Sequence, residues 1–311
     1  MTRIIRAALT ETVNAYADMP ARVQDVEQLA GRLDDVRDAN LEHHADLIAA
    51  AAGAGVQVIC LGELFSGPYF GLHRHPLWRD LAEHAVDGPS VRAMRDAAAA
   101  HGVIVIAPIY ELDPLTGRRF NTAVIIDQQG EVLGRYRKTH IPEGSNERAA
   151  FHETFYYQRG DGELGDWSAN VGSNPHYPVF ETSVGRIGVA ICYDRHFEGV
   201  MRSLAAGGAE VVFSPAVTFG EKSRRMWDLE FAVDAARHNL YIGGSNRLGS
   251  EAPWGVEFFG ASHFAGPDGQ LPPVDAPANL AIADLDLGAL AGGDGSGWDL
   301  PRDARPEIYT S

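Results

Sequence analysis

Short apolar runs alternate with longer stretches of helical spacing along the 311-residue chain. RIIRAAL (3–9) reads as a first strand. Residues 22–51 carry Ala, Leu and Val among charges at three- and four-residue intervals. That spacing predicts a helix, with Asp38 or Asn40 as a cap ahead of LEHHADLIAAAA. Gly53 and Gly55 close it, and VQVICLGEL (56–64) follows as a buried strand running into Glu63. A helix at about 89–101 leads to the strand VIVIAPIYE (103–111). NTAVIID and EVLGRYRK then read as strands about a turn at Gly130, where positive φ suits glycine. The second half repeats the grammar: strand RIGVAICYD (186–194), helix EGVMRSLAAGGA, strand EVVFSPAVTF (210–219), a helix over 223–238, strand LYIGGSNR (240–247).

This alternation predicts an α/β fold. GAGVQVICLGELF (53–65) resembles GGAEVVFSPAVTF (207–219), and AAHGVIVIAPIY resembles ARHNLYIGGSNR. Either the chain is internally duplicated, or all helix–Gly–strand units look alike; the pattern leaves both open. Between the halves, 141–178 is rich in Gly, Asn, Pro and aromatics, and a loop so long inside a compact domain is usually functional. No linker or low-complexity run divides the chain, so a single domain over 1–311 is expected.

Composition narrows the function. No apolar run approaches the roughly 20 residues of a membrane span, and the N-terminus has no sustained apolar stretch before a cleavage site. A soluble, cytoplasmic protein is expected. The net charge of −16 repels phosphate backbones and anionic membranes, which argues against nucleic-acid and membrane partners. An anionic small molecule would then need local cations. Two cysteines, Cys60 and Cys192, are too few for a disulfide framework and are read as reduced. Histidines at 43–44, 73 and 75 are joined by no cysteine or carboxylate pattern, so neither metal nor cofactor is expected. Gly160, Gly162 and Gly165 match GxGxxG, but no strand precedes them, and Asp161 and Glu163 would repel phosphate. A G-x-S-x-G elbow is absent.

Three residues can carry chemistry. Cys192 ends an apolar strand just before a helix, where a nucleophile is held stiffly and backbone N–H groups can receive an oxyanion. As a small buried hydrophobe it would be equally ordinary. Glu63, at the end of a buried strand, is placed as a general base or as a solvated acid. Lys138 closes EVLGRYRK, and there it either counters an oxyanion or faces solvent.

Taken together, LGELF, YRKTHIPEG and GVAICYDRHFE, in that order, resemble the nitrilase superfamily of carbon–nitrogen hydrolases. The closing RDARPEIY resembles that family as well. The resemblance implies a four-layer αββα sandwich, paired through helices into a homo-oligomer. It implies Glu63 as general base, Lys138 as stabiliser of the oxyanion, Cys192 as nucleophile, and the Tyr193 backbone N–H as a second oxyanion donor. A further family glutamate falls on Glu153, whose aromatic surroundings match better than those of Glu147. The run Tyr193-Asp194-Arg195-His196 resembles members that act on N-carbamoyl amino acids, the β-ureidopropionase type. Arg195 is expected to clamp a carboxylate or, alternatively, to pair with a structural acid. His196, Asn246 and Arg247 are expected near the substrate. The implied reaction is hydrolysis of an N-carbamoyl β- or α-amino acid to the amino acid, CO2 and ammonia, the partner being a small ureido acid or amide. Competing expectations are an aliphatic amidase, an N-carbamoylputrescine-type hydrolase, and a non-catalytic binding or assembly protein on the same fold.

Overall fold

The computed structural model describes residues 3–292 and 296–308; Tyr309, the last residue of RDARPEIY, lies outside the described residues. Its strands are β1 (Ile4–Thr10), β2 (Val58–Cys60), β3 (Ile104–Leu112), β4 (Arg119–Ile126), β5 (Val132–Arg137) and β6 (Val179–Thr182). They continue as β7 (Gly185–Val189), β8 (Val211–Pro215), β9 (Tyr241–Ser245), β10 (His263–Gly266), β11 (Gly269–Gln270) and β12 (Leu280–Asp286). The long helices are α1 (Leu33–Gly53), α2 (Pro89–His101), α3 (Glu198–Ala206) and α4 (Glu221–His238).

The strands form two six-stranded sheets, ordered β12-β1-β2-β3-β4-β5 and β11-β10-β9-β8-β7-β6. β1, β2 and β3 run parallel, as do β7, β8 and β9, with antiparallel strands outside each trio. Side chains on alternate strand positions choose the layer. Val58, Cys60, Ile104 and Ile106 face the other sheet, where they join Ile187, Val189 and Phe213. Ile59 and Val105 face outward and are covered by Leu47 and Ile48 of α1 and Val91 and Met94 of α2. On the far side, Met201 and Leu204 of α3 and Trp227 and Phe231 of α4 cover the second sheet. The architecture is therefore a four-layer αββα sandwich. At β9 both neighbouring layers close tightly. A Cβ on Gly243 would meet Phe264 at 2.5 Å and Leu9 of the opposite sheet at 3.1 Å, and one on Gly244 would meet Phe231 at 2.2 Å.

Three predicted boundaries shift. The helix foreseen over 22–51 splits into a 3-10 segment (Val23–Leu29) and α1, broken at Gly31 with φ 77°. Asp38 and Asn40 thus lie inside α1 rather than capping it. Asn40 is buried, and its amide group bonds Val36 O, Asn14 and Ala15 N. The strand expected over 56–64 is paired only at Val58–Cys60, and that expected over 186–194 only to Val189. In both, the apolar run continues past the ladder into a buried turn that carries the chemistry.

Candidate active site

Side chains from the carboxyl ends of both parallel trios converge, the position where open α/β sheets commonly place their sites. Glu63 lies three residues beyond β2, Cys192 three beyond β7, and Val217 and Thr218 just beyond β8. Lys138 directly follows β5. Glu153 opens a 3-10 turn (Glu153–Phe155) after a small hairpin, Glu143–Ser145 with Ala150–His152, inside the long connection singled out by composition.

Glu63 and Lys138 are wholly buried. The Lys138 ammonium donates to Glu63 Oε1 at 2.8 Å and to Glu153 Oε2 at 2.7 Å. Glu63 Oε1 also accepts from Asn121 Nδ2 at 2.7 Å, and its Oε2 accepts from the Val217 amide at 2.8 Å. Glu153 accepts in addition from the Tyr69 hydroxyl at 2.6 Å. Burial by itself works against the Lys138 charge, but Glu153 and Glu63 outweigh it and hold the ammonium above the ordinary lysine range. For Glu153, burial raises the carboxyl pKa, Lys138 opposes that shift, and Glu63 adds to it.

Cys192 occupies the left-handed region, φ 51°, at the start of a 3-10 turn (Cys192–His196). A non-glycine residue there costs roughly 1–3 kcal/mol and persists only where its surroundings fix it. Two side chains do so. Asp194 Oδ2 accepts from the Ile191 amide at 3.0 Å, and Arg195 Nη1 donates to Cys192 O at 2.7 Å. Burial pushes the Cys192 thiol up to about 12; Glu63 adds to the shift, while Lys138 and Arg195 oppose it. At neutral pH the sulfur carries its proton, and an adjacent base is needed to remove it. Leu64 repeats the device beside Glu63, with φ 53°. Arg247 Nη2 donates to the carbonyls of Glu63, Leu64 and Gly67 at 3.0–3.1 Å, and its other nitrogen pairs with Glu251.

A cavity of about 170 Å³ opens over Cys192 and Glu153, walled by Tyr69, Phe151 and Phe219 and bearing Tyr193, Arg195, His196 and Lys222. Of the residues expected at the site, Glu63, Lys138, Glu153 and Cys192 come together, and Tyr193 and His196 line the cavity. Glu147 also lines it but does not reach Lys138; its Oε1 accepts from the Glu221 amide at 2.6 Å. Two of the expected residues make their contacts within the protein. Asn246 does not line the cavity. It is buried and holds the 217–218 segment, its Oδ1 accepting from Thr218 N at 2.9 Å and its Nδ2 donating to Thr218 O and Gly260 O. Arg195 borders the cavity, and its terminal nitrogens are engaged within the protein. It holds Cys192 O, donates to Thr218 Oγ1 at 3.3 Å, and its Nε lies 3.3 Å from Glu230 Oε2, an ion pair of the kind expected as the alternative to a carboxylate clamp.

Sequence reasoning missed Asn121, Tyr69 and the role of Asp194. Asn121 was signalled by one inward polar residue in the apolar strand RFNTAVII. Asp194, wholly buried, also accepts from Tyr136 OH at 2.6 Å, Thr139 Oγ1 at 3.0 Å and the His140 amide at 3.0 Å. It thereby ties the cysteine turn to the segment carrying Lys138.

Comparison with known proteins shows the family and the fold. The family model described as carbon-nitrogen hydrolase matches residues 28–292. The chain is 32% identical to the beta-ureidopropionase of Arabidopsis thaliana, covering 99% of this chain and 72% of that protein. It is 31% identical to the N-carbamoylputrescine amidase of Solanum tuberosum, covering 89% and 90%. The fold resembles the crystal structure of a carbon-nitrogen hydrolase from Helicobacter pylori G27, with a TM-score of 0.78 and 24% identity over 98% of this chain and 97% of that one.

Proposed function

The chain belongs to the carbon-nitrogen hydrolase family, enzymes that act on carbon–nitrogen bonds, and we propose that it hydrolyses an N-carbamoyl amino acid of the N-carbamoyl-β-alanine kind. The observation that carries this reading is the buried Glu63–Lys138–Glu153 cluster behind a protonated Cys192 at the floor of a small cavity. The likeness to a beta-ureidopropionase and an N-carbamoylputrescine amidase supports a ureido group as the reacting part.

In this mechanism Glu63 takes the Cys192 proton as the sulfur attacks the carbamoyl carbon. The Lys138 ammonium and the Tyr193 backbone N–H stabilise the resulting oxyanion. The C–N bond breaks, and Glu63 returns the proton to the departing nitrogen. Water then attacks the S-bound carbonyl, Glu63 accepts its proton, and the S–C bond breaks to restore the thiol. The carbamic acid so released loses CO2, which breaks the second C–N bond, and one water per ureido group thus gives the amino acid, CO2 and ammonia. Glu153 keeps Lys138 charged and oriented throughout.

We further place the enzyme in the cytoplasm, as a single carbon–nitrogen hydrolase domain and as a homo-oligomer. No helix among the described residues is long and apolar enough to cross a membrane. Leu229 and Val233 stand about half exposed on α4, which supports the last.

An ammonia-release screen over N-carbamoyl-β-alanine, N-carbamoylputrescine and simple aliphatic amides tests the assignment. Ureido acids are expected to turn over fastest, and Cys192→Ser to lose at least ~10³-fold in rate. Preference for amides over every ureido compound would overturn it in favour of an aliphatic amidase.

A further inference from the structure

The chain holds 26 basic Lys and Arg residues, yet only two are lysines, Lys138 and Lys222. Everywhere else a permanent positive charge is supplied by arginine. Both lysines belong to one place in the fold: Lys138 lies beneath the cavity floor, and Lys222, in the first turn of α4, lines its wall.

Three basic side chains border the cavity, and two are already engaged. Arg195 holds Cys192 O and faces Glu230, and His196 Nδ1 lies 2.6 Å from the same Glu230. Lys222 is exposed, and among the described residues it has neither a hydrogen-bond acceptor nor a carboxylate partner. It is therefore the cation on this wall that can accept an anionic group without breaking a contact inside the protein. An ammonium on a flexible four-carbon stem suits such a task, since it can follow carboxylates at different distances from the ureido group. It also answers the problem set by a charge of −16, which supplies no long-range attraction for an anionic substrate.

We propose that Lys222 is the specificity-determining residue that receives the substrate carboxylate and so selects ureido acids over neutral and cationic ureido compounds. The inference rests on the N-carbamoyl amino acid reading above. Glu147, on the same wall and held by the Glu221 amide, is the opposing charge that weakens the grip on an anion.

The test compares N-carbamoyl-β-alanine with propylurea, which lacks the carboxylate, and with N-carbamoylputrescine, which replaces it by a cation. In Lys222→Ala the kcat/KM ratio of N-carbamoyl-β-alanine to propylurea is expected to fall about tenfold or more, through KM rather than kcat. Lys222→Arg should restore most of it, Lys222→Glu should shift preference toward N-carbamoylputrescine, and Glu147→Gln should lower KM for the acid. Because Lys138 is buried, Lys222 is also the accessible lysine, so N-hydroxysuccinimidyl acetate labelling can be read on its peptide. N-carbamoyl-β-alanine added to the Cys192→Ser protein should protect it, and propylurea should not. A wild-type enzyme with no preference for the acid would overturn the parent reading and this inference together. A wild-type preference that survives in Lys222→Ala and Lys222→Glu, with labelling unprotected, would overturn this inference alone.

Discussion

A thiol pushed up to about 12 sits beside a carboxylate that receives three hydrogen bonds, and this pairing decides how Cys192 reacts. Burial favours the uncharged sulfhydryl, so the thiolate is not stored in the resting enzyme but formed only as the electrophile arrives. Raising the pH should therefore keep accelerating alkylation of Cys192 by iodoacetamide from pH 7 to pH 10 without a plateau, because the folded-state pKa lies above that range. A rate already flat from pH 7 upward would reveal a preformed thiolate instead, and a plateau just above the ordinary thiol pKa of about 8.5 would reveal a thiol that burial does not shift. At this scale, Glu63, Lys138 and Cys192 were legible because each stands at the end of an apolar run. Arg195 and Asn246 were harder to read: their partners Thr218, Glu230 and Gly260 lie 14–35 residues away along the chain. A residue's type states what it can donate, and only the fold states to whom.

Among the elements, the 3-10 turn at Cys192–His196 does the most to join the two halves. Asp194 fixes its start through Ile191 N and reaches across to Tyr136, Thr139 and His140 beside Lys138. Asp194→Asn removes the charge that these donors share and leaves some of them unsatisfied, at a cost of about 3 kcal/mol or more in stability. Misplacing sulfur against ammonium should also lower kcat by ~10–100-fold while KM changes little. Thermal denaturation and steady-state kinetics of the variant check both, and a folded variant with wild-type kcat would remove Asp194 from its positioning role. Elements with strong periodicity, such as α2 and β3, were legible almost to the residue. The boundaries that moved were those where buried apolar residues serve turns, as Leu61 and Leu64 do after β2. Gly31 likewise interrupts a helical pattern that spacing alone would have continued.

For the molecule as a whole, the two sheets follow one plan. β1-β2-β3-β4-β5 and β7-β8-β9-β10-β11 are in the same order, with α1 and α3, then α2 and α4, in matching connections. The likeness of 53–65 to 207–219 pairs β2 with β8, and that of AAHGVIVIAPIY to ARHNLYIGGSNR pairs β3 with β9, equivalent places in this plan. The plan sets the carboxyl ends of both trios around one cavity. It also leaves Leu229 and Val233 of α4 outward, and no monomer interior covers them. Replacing both by Glu should reduce the sedimentation coefficient to that of a monomer if this face joins copies of the chain; an unchanged coefficient would place the contact elsewhere.

The account turns on a covalent bond between Cys192 and the carbonyl carbon of the substrate. Acid quenching of the wild-type enzyme during turnover of N-carbamoyl-β-alanine, followed by peptide mass spectrometry, looks for that bond directly. A carbonyl adduct confined to the Cys192 peptide and removed by hydroxylamine, with no ammonia released by Cys192→Ser, is the predicted result. An unmodified Cys192 peptide together with undiminished ammonia release from Cys192→Ser would contradict it.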